Sequence, residues 1–237
     1  MAKEYNNVLL KISGEILSGD ANSAFDYSIS NQIVDDIASI KKSGINLAVV
    51  IGGGNIIRGI NHRDYNLSKN NADHMGMLST AINGIYLKNL LTNKHIKSII
   101  YSSFTISGII KKFNHEEAKQ AMNDGHVVIL VGGTGNPYFT TDTTAVLRAL
   151  ELDCDVLLKG TKVDGVYDQD PEKYSKAEKF SKLDYNYVIN NNLSIMDRTS
   201  IIMAEEAGLP IIVFSIKNKD ELRKVIEKKA EFTIISN

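Results

Sequence analysis

Residues 126–149, HVVILVGGTGNPYFTTDTTAVLRA, set three glycines, a run of threonine hydroxyls and one acid between an apolar stretch and an amphipathic one. Val127 to Val131 is short and rich in β-branched residues, the pattern of a strand buried on both faces. Gly132, Gly133 and Gly135 permit positive φ and let a ligand approach the backbone. Thr140, Thr141 and Asp142 then precede Ala145, Val146, Leu147, Ala149 and Leu150, so a helix is expected there with a Thr or Asp N-cap, Asp142 by default. The free N–H groups and dipole of such a helix end attract anions, phosphate above all. A plain strand-to-helix turn would need fewer glycines and fewer hydroxyls.

The pattern has an echo. VVIGGGN (49–55) resembles VILVGGTGN (128–136), and both follow apolar runs. Two further strand ends carry lysines: Lys11-Ile12-Ser13-Gly14 after Val8 to Ile12, and Lys159-Gly160-Thr161 after Asp155 to Leu158. Ligands of parallel sheets sit beyond the carboxyl ends of the strands. Several phosphate-type loops on one rim suggest two phosphate-bearing ligands side by side, a phosphotransferase layout. Lys11 is expected at the rim, exposed and contributing little to stability, with a solvated surface lysine as the bland reading. Arg58, three residues past GGGN, could reach a phosphate or be solvated. Asp73 opens a long helix, where a dipole partner is the simpler role. Asp142 could also position lysines or magnesium. His74 receives no role. GxxxxGK[ST], GxGxxG, zinc-type Cys/His spacings and GxSxG are absent, which argues against Walker-type kinases, dehydrogenases, zinc sites and serine hydrolases.

The elements that must position these residues alternate. Strands are expected at Val8–Ile12, Leu47–Ile51, Ser98–Tyr101, Val127–Val131, Asp155–Leu158, Ile211–Phe214 and Phe232–Ile235. Helices are expected at Ile29–Ile40, Ala72–Leu91, Glu116–Met122, after Asp142, and at Asp184–Ile189, Thr199–Ala207 and Asp220–Lys228. Ser18–Ser28, Ile60–Asn71 and Asp168–Lys179 read as loops. Alternation of this kind implies an α/β fold with a mostly parallel sheet covered on both faces.

Composition sets the class. The chain has 237 residues, of which 43% are hydrophobic, enough for one large domain and its core. A formal net charge of −1 gives no basic field for nucleic acid or a membrane surface. Cys154 is the single cysteine, which excludes an intrachain disulfide, and it reads as a buried thiol between helix and strand. MAKEYNN leads into only three apolar residues, too few for a signal-peptide core, and no run approaches a membrane span. A single soluble cytoplasmic domain is expected.

Six segments carry a resemblance: LLKISGE (9–15), VVIGGGNIIRG (49–59), ADHMGMLSTAING (72–84), GTGNPYFTTDTTA (133–145), LLKGTKVDGVYDQDP (157–171) and MDRTSIIMAEEAGLPIIVF (196–214). In this order, over nearly the whole chain, they resemble the bacterial uridylate (UMP) kinases of the amino-acid-kinase superfamily. DHMGM together with GTGN-P-aromatic-F-TTD separates that family from acetylglutamate, aspartate and carbamate kinases. The resemblance implies a three-layer α/β/α sandwich around a mainly parallel sheet. It also implies transfer of the ATP γ-phosphoryl group to UMP, with Mg²⁺ carried by ATP and no protein-held metal. By position, Lys11, Ile12, Ser13, Gly14, Gly54 and Arg58 would contact ATP phosphates, and Thr161, Tyr167 and Asp170 its nucleoside. Gly53, Asp73 (at the ribose), Thr134, Gly135, Asn136, Pro137, Tyr138, Phe139, Thr140 and Thr141 would hold UMP. Lys11, Arg58 and Asp142 would be catalytic, with Asp142 orienting the basic groups. Lys159 stands on the same rim, and Asp197 is given no role. Residues 45–150 would form the acceptor side, and residues 151–237 with the 11–14 loop the donor side. Homohexamers and inhibition by UTP come with the family. GTP activation does not carry over, because GDANSAFD (19–26) stands where relatives have a glycine-rich segment. Other readings are a carboxylate or carbamate kinase of the superfamily, or a non-catalytic nucleotide-binding relative.

Overall fold

The computed structural model describes residues 5–19, 23–57, 66–171 and 173–237. The first half holds β1 (Asn7–Ile12), α1 (Gly14–Leu17), α2 (Tyr27–Lys42), β2 (Asn46–Ile51), α3 (Lys69–Asn93), β3 (Ser98–Ser102), β4 (Lys111–Lys112), α4 (His115–Asn123) and β5 (Val127–Val131). The second holds α5 (Thr141–Glu151), β6 (Val156–Thr161), β7 (Val166–Tyr167), β8 (Lys179–Phe180), β9 (Lys182–Leu183), α6 (Tyr185–Asn190), α7 (Arg198–Ala207), β10 (Ile211–Ser215), α8 (Glu221–Ile226) and β11 (Thr233–Ile235). Nine strands form one sheet in the order β4-β3-β5-β2-β1-β6-β10-β11-β9, and β7 pairs with β8 in a separate two-stranded ribbon. Every pairing in the large sheet is parallel except β10 with β11.

Both faces are covered, so the central strands are apolar throughout rather than alternating. Val8, Leu10 and Ile12 belong to the core with α2, α3 and α8, through residues such as Ile33, Leu87 and Leu222. Leu9 and Leu157 belong to the core with α4, α5, α6 and α7, through Met122, Ala145, Val188 and Ile201. This is the expected three-layer sandwich. The chain winds outward on both sides of β1, with β2 on one flank and β6 on the other. The sheet's switch point, where ligands of doubly wound folds collect, is therefore at the carboxyl end of β1.

Helix boundaries run beyond the apolar stripes. α2 starts at Tyr27, inside the expected loop, because the Asp26 side chain accepts from Ile29 N and caps it. α3 starts at Lys69 behind the Ser68 cap, which makes Asp73 its fifth residue rather than its second. α8 is shorter than expected, ending at Ile226. Gly44 follows α2 at φ 81, as a helix-ending glycine should. The expected irregular stretch 168–179 ends in β8, whose pairing with β7 lies too short for any periodicity to reveal. Cys154 is buried as expected, and burial followed by the nearby acids pushes its thiol up to about 12. Arg58 and Asp20 to Asn22 lie outside the described residues.

The β1 and β2 loops interlock. A Cβ on Gly14 would sit 2.7 Å from the Gly52 carbonyl oxygen, the Gly54 nitrogen and Asn55 Oδ1. Two of those three neighbours are backbone and cannot swing away. Gly14→Ala should therefore overpack the loops, with a loss of about 1–3 kcal/mol and a drop of roughly 2–12 °C in Tm for a chain of this size. A thermal scan checks this; an unchanged Tm would show that the loops are not in contact.

Candidate active site

Lys11 and Lys159 are direct neighbours in the β1–β6 register. In-register residues of adjacent parallel strands face the same side of a sheet, so both lysines point to the α5–α7 layer, two residues beyond Leu9 and Leu157. There they meet Asp142 in the first turn of α5. Lys11 Nζ lies 2.8 Å from Asp142 Oδ1, and Lys159 Nζ lies 2.9 Å from Oδ2. Lys159 also donates to the Ile195 carbonyl. The three side chains are 9%, 11% and 16% exposed, so two ammonium groups share one carboxylate almost out of water. These three groups together carry one net positive charge, to which the N-terminus of α5 adds and which the nearby Asp197 carboxylate offsets at Lys159.

Burial alone would raise the Asp142 carboxyl, but the facing Lys11 and Lys159 charges reverse that and hold it below its ordinary value. Burial pushes the Lys159 ammonium below its ordinary value, against the pull of Asp142 and with the like charge of Lys11 adding to the effect. The expected exposed Lys11 is thus corrected: it is buried, because the register turns it under α5 rather than out to the rim. The expected N-cap is corrected as well. Thr140, extended at φ −84 and ψ 172, caps α5 by accepting from the Asp142 and Thr143 amides at 3.0 and 3.2 Å. That leaves the Asp142 carboxylate free to take the lysines.

Asp197 anchors this arrangement from the next helix. It accepts from the Thr140 hydroxyl, accepts from Thr143 Oγ1 at 2.9 Å, and caps α7 through Ser200 N at 3.0 Å. Thr140 therefore spends its hydroxyl on structure, as an N-cap and a link to Asp197.

Two clefts open in this region, one reaching Thr141 beside Asp142 and the other lined by Lys159. The first, about 240 Å³, is lined by Gly53, Gly54, Asp73, Gly133, Asn136, Phe139 and Thr141, among others. It joins the two glycine loops, which the adjacent pairing of β2 and β5 brings together. Gly132, Gly133 and Gly135 all have positive φ, at 79, 57 and 86. Asp73 accepts from Tyr138 N at 2.7 Å and pairs with Lys69. Sequence reasoning missed Met77 and Thr80 in this wall; Thr80 Oγ1 accepts from Gly132 N at 2.8 Å and fixes the turn. Thr134 bonds locally to Asn136 N at 3.2 Å, and Tyr138 is 70% exposed. Thr134, Gly135, Pro137 and Tyr138 flank this cleft rather than line it.

The second cleft, about 680 Å³, is lined by Lys159, Thr161, Tyr167 and Asp170 together with a wall from Asn191 to Ile195 that the sequence did not single out. Ser13 is the residue before α1, and Gly14, the first residue of α1, is buried against the β2 loop. The Ile12 side chain is in the opposite core layer, so only its backbone is available to a ligand.

The model of the amino acid kinase family matches residues 6–215. The chain belongs to that family. The uridylate kinase of Bartonella bacilliformis is 45% identical over 236 residues, covering 100% of this chain and 99% of its own. The crystal structure of UMP kinase from Ureaplasma parvum superposes with a TM-score of 0.93 at 34% identity, covering 100% of both chains. That of UMP kinase from Bacillus anthracis gives 0.95 at 32% identity, over 99% and 97%. Within the amino acid kinase family, then, the chain is similar from end to end to uridylate kinases. No helix among the described residues is long and apolar enough to cross a membrane.

Asp142→Asn removes the carboxylate that the two lysines share. Breaking a buried pair this way should cost on the order of 3 kcal/mol, the low end of the range because some exposure remains. The pH dependence has a definite sign. Asp142 is depressed in the folded state, so its contribution is complete above the ordinary carboxylate value and is lost as pH falls below it toward the folded value. Denaturant melts between pH 5 and pH 2 should lose more stability in the parent than in Asp142→Asn. Parallel curves would show that the pair does not hold the charge assigned to it.

Proposed function

We propose that this chain transfers the γ-phosphoryl group of ATP to UMP, giving UDP and ADP, and so serves pyrimidine nucleotide synthesis in the cytoplasm. The observation that carries the proposal is the pair of buried lysines sharing Asp142 at the switch point of the sheet, with Lys159 in the wall of the second cleft and Thr141, next to Asp142, in the wall of the first. The first cleft, within residues 45–150, takes the acceptor. The second, within residues 151–237, takes the nucleoside of ATP, whose phosphates run past the 11–14 loop and Lys159 toward the acceptor.

Phosphoryl transfer depends on in-line positioning and on neutralising charge. Lys11 and Lys159 are held by Asp142 where that charge would spread, in a site that water barely enters. No reorganisation is required at the moment of transfer. The acceptor oxygen belongs to an anionic phosphate and requires no general base. Gly53, the Gly133–Gly135 turn and Thr141 would cradle the acceptor phosphate, and Asp73 would take the ribose. Gly54 and Arg58 would contact the ATP phosphates, with Thr161, Tyr167 and Asp170 around its nucleoside. Asp142 already faces two ammonium groups, so a magnesium ion fits as cargo of the triphosphate, where it would neutralise phosphate charge, rather than as an ion held by this carboxylate.

A coupled assay with ATP against UMP, CMP, aspartate, glutamate and carbamate tests the activity. UMP should be the preferred acceptor, and turnover of another acceptor without UMP would overturn the reading. Lys11→Ala and Lys159→Ala should each lower kcat by ~10²–10³. Lys11→Ala should also lose stability, because Asp142 then keeps only one partner.

The resemblance carries a homohexamer and inhibition by UTP at the acceptor cleft. Self-association is supported by Met75, Leu78, Ile82 and Ile85, exposed at 37–50% along one side of α3. Their helical spacing makes one apolar stripe, of the kind that marks an interface. Replacing Leu78 and Ile82 together by Asp should leave the fold intact and reduce the mass seen by light scattering to that of a smaller species. An unchanged mass would remove α3 from the interface.

A further inference from the structure

The carboxyl-terminal strand β11 lies beyond the family match and beyond every motif that points to the activity. It nevertheless reaches the second cleft. Gly165, Val166 and Tyr167 form part of that cleft's wall. Thr233 in β11 is fully buried, and its hydroxyl accepts from Val166 N at 2.8 Å while donating to the Phe180 carbonyl. One hydroxyl thus joins both strands of the β7–β8 ribbon to the main sheet. Gly165 is pressed onto the same group, since a Cβ there would come within 2.6 Å of Thr233 Oγ1.

Two residues earlier, Glu231 pairs with Lys179, the β8 residue that also holds Asp164 at 3.1 Å. Asp164 in turn accepts from the Tyr167 hydroxyl at 2.7 Å. The wall is therefore fastened twice, once at its backbone and once through the Tyr167 ring, and both fastenings end in residues 231–233.

We propose that Glu231–Thr233 is a clasp that sets the nucleoside wall of the donor cleft, with Thr233 as its positioning residue, an inference that rests on the reading of the second cleft as the ATP site. Thr233 touches no reacting atom in this arrangement. It acts by holding Val166, and through it Gly165 and Tyr167, at the spacing a flat base and its ribose require. Removing the hydroxyl without changing the shape leaves a buried amide unpaired, and the wall loosens while the lysine pair stays in place.

Thr233→Val and Thr233→Ser in the full chain test this, with two readouts. Hydrogen exchange over residues 163–168 should quicken in Thr233→Val and stay protected in Thr233→Ser, without ligand. Steady-state kinetics should show KM for ATP raised about 5-fold or more in Thr233→Val, the low end for an unpaired buried amide. KM for UMP and kcat should stay within about twofold, and Thr233→Ser should restore the parent values. Unchanged exchange in Thr233→Val overturns the clasp. Faster exchange with the change confined to KM for UMP overturns the donor-cleft reading instead, and the proposal with it. Glu231→Gln, at an exposed position, gives the second measure: a smaller rise in KM for ATP supports the clasp, and no rise overturns it should Thr233→Val not fold.

Discussion

Two lysines share one carboxylate at the centre of the sheet, and the surrounding structure is arranged to make that tolerable. Charged groups this far from water are costly unless paired, and removing one partner leaves the others exposed to that cost. The pairing here requires β1 and β6 to be adjacent and in register, so that the lysines lie on one face. It requires α5 to start where Asp142 can reach both, which Thr140 and Asp197 determine by capping α5 and tying it to α7. The two clefts reach it through Thr141, beside Asp142, and through Lys159. The net positive charge of the two lysines and Asp142, offset in part by Asp197, is one that a bound phosphate would match.

Much of this was legible in the chain. β-branched runs ending in glycine located the central strands, because doubly covered parallel strands are apolar at every position. The glycine loops, the acid after the threonines and both strand-end lysines were visible as local signals. Their meeting was not. Register is decided by pairing between segments far apart, so nothing near Lys11 says that Lys159 is its neighbour. The same holds for Asp197, whose link to Thr140 crosses 57 residues; only its capping of α7, with Ser200 three residues on, has a local signature.

The misreadings have physical causes too. Lys11 was expected at the surface because a lysine near a strand end is solvated more often than buried. The N-cap fell to Asp142 because an acid and hydroxyls compete for that place, and backbone conformation decides in favour of Thr140. The short strands β4, β7, β8 and β9 have two residues each, and two residues carry no alternation. α3 begins earlier than its apolar stripe because Lys69, Asn70 and Asn71 are exposed and contribute no pattern.

The central strand pair also governs when the enzyme can exist. Asn7 and Asn6 donate to Asp155 across the base of β1 and β6, joining segments 148 residues apart. Contacts so distant in sequence close slowly, after local structure has formed. During synthesis the amino-terminal strand waits, with β2 beside it, until the ribosome has released the chain through β6. Until then Lys11 has no Lys159 beside it, and the α5 layer has only half of its floor. A nascent or truncated chain ending before β6 could hold glycine loops and part of the acceptor wall, yet it would lack the two-lysine charge centre. Catalytic competence is in this sense a late event of folding, tied to one long-range strand pairing rather than to the accumulation of motifs.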